Sequence, residues 1–255
     1  MAIHVFGRTF MDLFIYGEKI HNCTIVETPG GSALNASLGF SLLGLTTFIH
    51  ATYGTDHSGD EIREIIDQYG VKTDYLIQRQ EPSNRFISRN TKALAVSVGS
   101  DIATNTFLEV GEEDYCLIFA TEIHQRTLES IVSKSWKRVF IDLGPKYTHN
   151  TFPLKLKRAT IIANELEAKN TPCDIVKMGK RGARWHDVLI RGNGQALPYT
   201  TGAGDLFDVV LIDHILKGKM PAEALKEAVH MSQKACLIPG SSTKMELLRE
   251  FNHSV

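Results

Sequence analysis

Short apolar runs rich in β-branched residues alternate along this chain with longer segments of helical period, and this alternation limits the fold more than any other feature. Strand candidates are Ile3-Phe6, Thr46-Ala51, Tyr115-Ala120, Arg138-Asp142, Thr160-Ala163 and Asp174-Met178. Between and after them the periodicity predicts helices at about Ser32-Leu43, Ser58-Tyr69, His124-Ser133, Asp205-Lys217 and Ala222-Cys236. Such a pattern is that of an α/β protein with a mostly parallel sheet. The helix from Ser58 carries Glu61 at capping-box spacing and stops at Gly70, where a residue tolerant of positive φ ends a helix cheaply.

Two stretches break the alternation. Leu13-Thr28 and about Arg85-Val110 hold short strand-like pieces, LFIYG, CTIVE and LAVSVG, separated by polar turns. They predict a small β-sheet standing off the main body. Active sites of open parallel sheets lie at strand C-termini, so a layer there serves as a lid that excludes water. Two surface hairpins without a role are the alternative.

Composition narrows the function classes. With 28 basic and 29 acidic side chains among 255 residues the formal charge is -1, and no Lys/Arg block is present. That argues against a nucleic-acid or anionic-membrane surface as the main partner. The four cysteines, Cys23, Cys116, Cys173 and Cys236, are far apart and fit reduced thiols better than a disulfide frame or a zinc site. The ten histidines include no H-E-x-x-H spacing, and no apolar run approaches a membrane span. The N-terminal segment lacks a basic flank followed by a long apolar core, so a cytoplasmic location is expected.

The strongest local signal is Tyr199-Thr-Thr-Gly-Ala-Gly-Asp-Leu-Phe-Asp208. Its glycines open an apolar helix, whose unpaired N–H groups and positive dipole end make an anion site. Asp205 stands in the first turn. A carboxylate beside phosphate is electrostatically awkward unless it takes a proton from the attacking hydroxyl; the simpler alternative is a favourable first-turn acid after a tight turn. A β-branched side chain at Gly204 is expected to block phosphate and strain the backbone. Upstream, the segment from Pro29 to Gly44 repeats paired glycines, Gly30 and Gly31, before an apolar helix with Asn35 one turn in. Asp12 follows the first strand and is suited to accept hydrogen bonds from a polyol.

Together with Asn164-Glu-Leu-Glu167 and Lys177-Met-Gly-Lys-Arg-Gly182, these residues resemble, over nearly the whole chain, the ribokinase-like (PfkB) family of carbohydrate and nucleoside kinases. The resemblance implies one three-layer α/β/α domain over 1–255, with a mostly parallel central sheet and a small β-sheet lid formed by about 13–28 and 85–110. It implies an ATP-dependent phosphotransferase acting on an alcohol group of a sugar, polyol or nucleoside, with Mg²⁺. Asp205 then matches the catalytic base, and Gly202, Ala203 and Gly204 the anion hole. Asp12, Gly30, Gly31 and Asn35 match acceptor-binding positions. Asn164 and Glu167 match the pattern that supports magnesium and phosphate, Glu167 through water. Lys177, Gly179 and Gly182 match the segment lining the nucleotide, and Ala235 to Ser242 the loop flanking adenine.

Departures are as informative. The family commonly opens the anion-hole motif with an acid that helps hold a monovalent cation, where this chain has Tyr199; a strong response to K⁺ is therefore not expected. No P-loop motif is present. Within the enzyme class the alternative is a nucleoside kinase with Phe14, Tyr16 or Phe86 as base walls; outside it, a catalytically silent relative that binds a sugar or nucleotide. A homodimer through an exposed lid edge is also expected. Asp142 is read as a turn former with phosphate or substrate contact as the alternative, His57 and His186 as surface histidines, Trp136 and Trp185 as packing, and the Lys155-Arg158 run as a solvated face.

Overall fold

The computed structural model describes residues 1–19, 21–99, 110–153 and 159–251. The chain runs through β1 (Ile3–Phe6), β2 (Phe10–Lys19), β3 (Asn22–Gly30), α1 (Ser32–Leu42), β4 (Thr47–Tyr53), α2 (His57–Gln68) and β5 (Leu76–Gln78). It continues through β6 (Arg85–Arg89), β7 (Lys92–Ser97), β8 (Tyr115–Phe119), α3 (Gln125–Val132), β9 (Arg138–Asp142) and β10 (Ala159–Asn164). Last come β11 (Ile175–Lys177), β12 (Gly182–Trp185), β13 (Val188–Arg191), α4 (Ala203–Leu216), α5 (Pro221–Ala235) and α6 (Leu247–Phe251).

Nine strands form the central sheet in the order β13-β12-β11-β10-β9-β8-β1-β4-β5. All neighbours from β11 through β5 pair in parallel; β12 and β13 join antiparallel at one edge. Period-two alternation explains why the strands are apolar on both sides. In β8, Tyr115, Leu117 and Phe119 pack with α1, α2, α4 and α5, while Cys116 and Ile118 face the cluster that holds Leu128 and Ile131 of α3 and Trp136. Helices thus cover both faces, which is the expected three-layer architecture.

The two irregular stretches pair with each other as a separate four-stranded sheet, order β3-β2-β6-β7. It is mixed: β2 runs parallel to β6 and antiparallel to β3. The expected segment 85–110 is described to residue 99, and 100–109 lie outside the described residues, as does the Lys155-Arg158 run.

Most predicted boundaries lie within two residues of the observed ones. One expected cap is corrected: Asp56, not Ser58, caps α2, its Oδ1 accepting the Gly59 N–H at 3.0 Å. Asp56 wins because it also receives the Ser83 hydroxyl and N–H from the loop before β6. No helix among the described residues is long and apolar enough to cross a membrane. All four cysteines are free.

Candidate active site

The site is built at the C-terminal ends of the parallel strands, between two glycine-led helices. At α4 the chain turns through Gly202 in the left-handed region, φ 81°, and the helix begins at Ala203, two residues before the expected start. A Cβ on Gly202 would lie 2.9 Å from the Ser241 Cα, so both its φ and its neighbour demand glycine. Gly204 is different, and here the expectation is corrected. It has no positive φ, and a Cβ there would meet only the Lys177 Nζ, at 3.6 Å. Its open side faces the cleft rather than a crowded wall.

At α1 the paired glycines let backbone approach closely. Gly31 has φ 95° and a Cβ on it would sit 2.6 Å from the Arg8 carbonyl oxygen, while one on Gly30 would run into the Asp12 carboxylate and the Ser241 hydroxyl. Asn35, one turn in, donates from Nδ2 to Asp205 Oδ2 at 2.7 Å. Its Oδ1 is buried without a hydrogen-bond partner among the described residues. The predicted acceptor and catalytic positions Asp12, Gly30, Gly31, Asn35 and Asp205 thus converge.

Three carboxylates share this end of the site. Asp12 is buried, accepts the Ser241 hydroxyl at 2.5 Å, and is pushed up by burial to about 7. Asp205 is pushed up by burial to about 6, with Asn35, Lys177 and the Ser32 hydroxyl pulling the other way. Glu122, just beyond β8, accepts the Arg8 N–H at 2.7 Å and is pushed up by burial to about 8. The Ser32 side chain lies beside both Glu122 and Asp205 and acts to lower each of them. Asp205 further raises Asp12 and Glu122, and Asp142 raises Asp205, because like charges in a low-dielectric pocket disfavour joint ionisation.

Beside Gly204 opens a cleft of about 400 Å³. Lys177, Gly179, Gly182, Thr200, Ala203, Gly204 and Cys236 line it, so the predicted nucleotide segment and anion hole face one space. From the small sheet Thr91 reaches it too, at a turn where Asn90 and Thr91 have φ 45° and 72°. At its floor the Lys177 ammonium bonds the carboxylate of Asp142 and, at 3.1 Å, that of Asp208. Burial alone would lower the lysine, but the two carboxylates raise it above its ordinary value. Burial also raises Asp208, opposed by Lys177 and reinforced by Asp142. Asp142 is therefore more than a turn former.

Asn164 and Glu167 hold each other. The Glu167 carboxylate accepts the Asn164 N–H at 2.9 Å and its side-chain amide at 2.5 Å, and Asn164 Oδ1 accepts the Leu166 and Glu167 N–H groups. Burial raises Glu167 above the usual carboxylate range, with Asp142 and Lys177 close enough to act on it. Neither residue lines the cleft itself. The loop from Ala235 to Ser242 is shared between both ends of the site. Cys236 lines the cleft, but Ser241 and Ser242 turn to Asp12 and the Pro29 carbonyl, among the positions expected to meet the acceptor.

Sequence reasoning missed Glu122 and Ser32, gave Ser241 only as part of the loop flanking adenine, and gave Asp208 no role of its own. Asp208 carried a signal, as an acid one turn after Asp205 on the largely buried α4. His57 and His186 are exposed and apart from the site, and Trp136 is core.

Comparison with known proteins bears on the family and the fold. Residues 2–135 match the model of the pfkB family carbohydrate kinases. The chain is 24% identical over 263 residues to a ribokinase of Bacillus subtilis (strain 168), covering 89% of each. Among solved structures it is similar to a ribokinase of Cryptococcus neoformans var. grubii serotype A in complex with ADP, with a TM-score of 0.75, 18% identity and coverage of 98% of this chain and 99% of that one. It is likewise similar to a fructokinase of Vibrio cholerae O395 holding fructose, ADP and calcium, with a TM-score of 0.75, 14% identity and coverage of 97% and 98%. The two glycine-led helices, the three-layer fold and the family match agree: this chain belongs to the pfkB family of carbohydrate kinases, phosphotransferases that act on an alcohol group.

Proposed function

We propose that the protein transfers the γ-phosphoryl group of ATP to a hydroxyl of a sugar or polyol, with Asp205 as general base. One observation carries the reading: Asp205 sits between the cleft at Gly204 and the polar end formed by Asp12, Asn35 and Glu122, so a group held on either side meets at its carboxylate. Acceptor hydroxyls donate to Asp12 and to the unpaired Asn35 Oδ1, which aligns one of them on Asp205. Asp205 takes its proton as the oxygen attacks phosphorus. The N–H groups of Gly202 and Gly204 at the start of α4 receive the negative charge on the phosphoryl oxygens, while that of Ala203, expected to join them, donates to the Thr200 carbonyl at 3.2 Å. Lys177 adds a fixed positive charge at the same place.

Among the described residues no three His, Cys, Asp or Glu side chains gather as a metal cage. Glu167 and Asp142 lie behind Lys177 and do not line the cleft, so an ion that arrives with the nucleotide and keeps its waters would reach them only through water. Bound magnesium would neutralise phosphate charge there.

In this reading the chain works as one α/β domain whose small sheet is the lid over the acceptor. Ile25, Leu94, Val96 and Val98 leave apolar side chains exposed on that sheet, and a second copy pairing there would cover them. Light scattering of the purified chain tests the dimer. The function is tested by a panel of sugars, polyols and nucleosides with Mg-ATP in a coupled ADP assay. Turnover with a sugar or polyol is expected; a strong preference for nucleosides, or tight binding of an acceptor without turnover, would overturn the reading.

A further inference from the structure

Lys244 is the one lysine of the described chain with no exposed surface, and no Asp or Glu among the described residues pairs with it. Its ammonium instead donates to two main-chain carbonyls, that of Ala235 at 3.0 Å and that of Ile238. Both lie where α5 ends, the negative end of the helix dipole. Burial lowers the lysine to about 8, which leaves it mostly charged at neutral pH. Taking an ammonium out of water without a counter-ion costs several kcal/mol, and a methionine of similar length would pack without that penalty. Stability alone does not account for a charge here.

What the charge holds is the turn over 236–244, and that turn touches the opening of α4, Asp12 and the small sheet. The Cys236 carbonyl accepts the Tyr199 N–H at 3.1 Å, and Ser241 lies against Gly202 at the opening of α4. The Ser241 hydroxyl bonds Asp12, the Ser242 hydroxyl bonds the Pro29 carbonyl at 2.6 Å, and the Gly240 N–H bonds the Tyr16 hydroxyl of β2 at 3.3 Å. Carbonyl oxygens converging on a compact monovalent cation are the ligand set that also replaces the hydration shell of K⁺.

We propose that Lys244 is a positioning residue for phosphoryl transfer: its ammonium is a tethered monovalent cation that fixes the 236–244 turn against the anion hole at Gly202 and the carboxylate of Asp12. The proposal rests on the kinase reading above. It explains why a chain with Tyr199, which offers a cation no carboxylate, keeps an ordered anion hole. It also implies that the site needs no cation from solution.

The test compares wild type, Lys244→Ala and Lys244→Met in a tetramethylammonium buffer at constant ionic strength. Wild-type turnover with Mg-ATP shows the kinase reading to hold, and its rate is expected to change by less than about twofold when ammonium, methylammonium or K⁺ replaces the bulky ion. Lys244→Ala is expected to lose about 10- to 100-fold in kcat, because misplaced groups rather than missing chemistry set the loss, and to regain most of it saturably with ammonium or K⁺. Lys244→Met fills the space without charge; it is expected to keep the wild-type circular dichroism, to be slow, and to be unmoved by added cations. A fully active Lys244→Met enzyme would overturn the proposal. So would a folded, slow Lys244→Ala enzyme that no amine or alkali ion restores. If Lys244→Ala does not fold, Lys244→Met alone decides. No turnover by wild type with any acceptor would count against the kinase reading instead.

Discussion

The side-chain amide of Asn35 donates to the carboxylate of Asp205 at 2.7 Å, joining the first turns of α1 and α4 across 170 residues of chain. Each of these residues stands at the opening of a glycine-led helix, and their bond brings the two helix N-termini to one point. The contact orients the Asp205 carboxylate, with the Ser32 side chain beside it.

Asp205→Asn keeps this contact, because an amide oxygen still accepts from Asn35, but it cannot take a proton. The expected loss in kcat is roughly 10²- to 10⁴-fold with ATP binding retained. The same variant should be more stable. Asp205 has its folded value raised to about 6, so its stabilising share is full only below the unfolded carboxylate value and is lost as pH rises through 6. A melting temperature higher than wild type by the equivalent of roughly 1–2 kcal/mol at pH 8, and a smaller gap at pH 4.5, is the expected result. Activity within threefold of wild type would remove Asp205 from the base role.

Catalysis should rise with pH. A base must be ionised, and the three carboxyls that face one another lie at about 6, 7 and 8 for Asp205, Asp12 and Glu122. kcat/KM for the acceptor is expected to climb from about pH 5.5 to about pH 8.5, with apparent values that belong to the cluster rather than to one residue. A flat profile over that range would contradict a carboxylate base in this setting.

Two glycines two residues apart should behave oppositely. Gly202→Ala forces an L-residue to φ 81° and onto Ser241, so it is expected to lower stability by about 1–3 kcal/mol. Gly204→Val meets only Lys177 within the protein, yet points its bulk into the cleft. It should melt near wild type and have no detectable kinase activity. Thermal melts and the coupled assay on both variants check the pair; normal phosphorylation by Gly204→Val would place the anion hole elsewhere.

Thr91 joins the small sheet to the cleft at a strained φ of 72°. Thr91→Gly relieves that strain, so a residue that only closes a hairpin would tolerate the change or gain by it. The expected outcome is an unchanged melting temperature with KM for ATP raised by about three- to tenfold and KM for the acceptor unchanged. An unchanged KM for ATP would leave the turn without a part in donor binding.

On the opposite face of the sheet a buried histidine pair should make the fold acid-sensitive. The His4 Nδ1 and His50 Nε2 atoms are 2.9 Å apart, and burial lowers His4 to about 4 and His50 well below its ordinary value. Such groups contribute stability above the unfolded value of 6.5 that is lost as pH falls toward 4. The site carboxyls work in the other direction, so the comparison must be made with a variant. The melting temperature of His4→Phe/His50→Leu is expected to fall less between pH 7 and pH 5 than that of wild type. Equal slopes would show that the pair does not govern acid stability.

Local rules made much of this protein legible. The inner strands follow from short apolar runs buried on both sides, α2, α3 and α5 from a 3.6-residue period, and the turns at Gly31 and Gly202 from backbone that only glycine adopts without strain. The bond between Asn164 and Glu167 is local too, since three residues of spacing suffice to close it. What no local rule contains is which distant groups meet. Glu122 becomes a site residue only because β8 lies beside β1 and ends next to Ser32. Lys177 is held by Asp142 and Asp208 from two other elements, and Lys244 finds its partners in carbonyls that carry no sequence identity at all. The sequence by itself determined six of the nine main-sheet strands, five of the helices, the glycine-led helix starts and the family, while β5, β12, β13 and α6 emerged only from the structure. Tertiary packing decided the protonation of the carboxyls and the partners of the buried lysines, because both depend on desolvation and on charges brought within a few ångströms by strand order rather than by spacing along the chain.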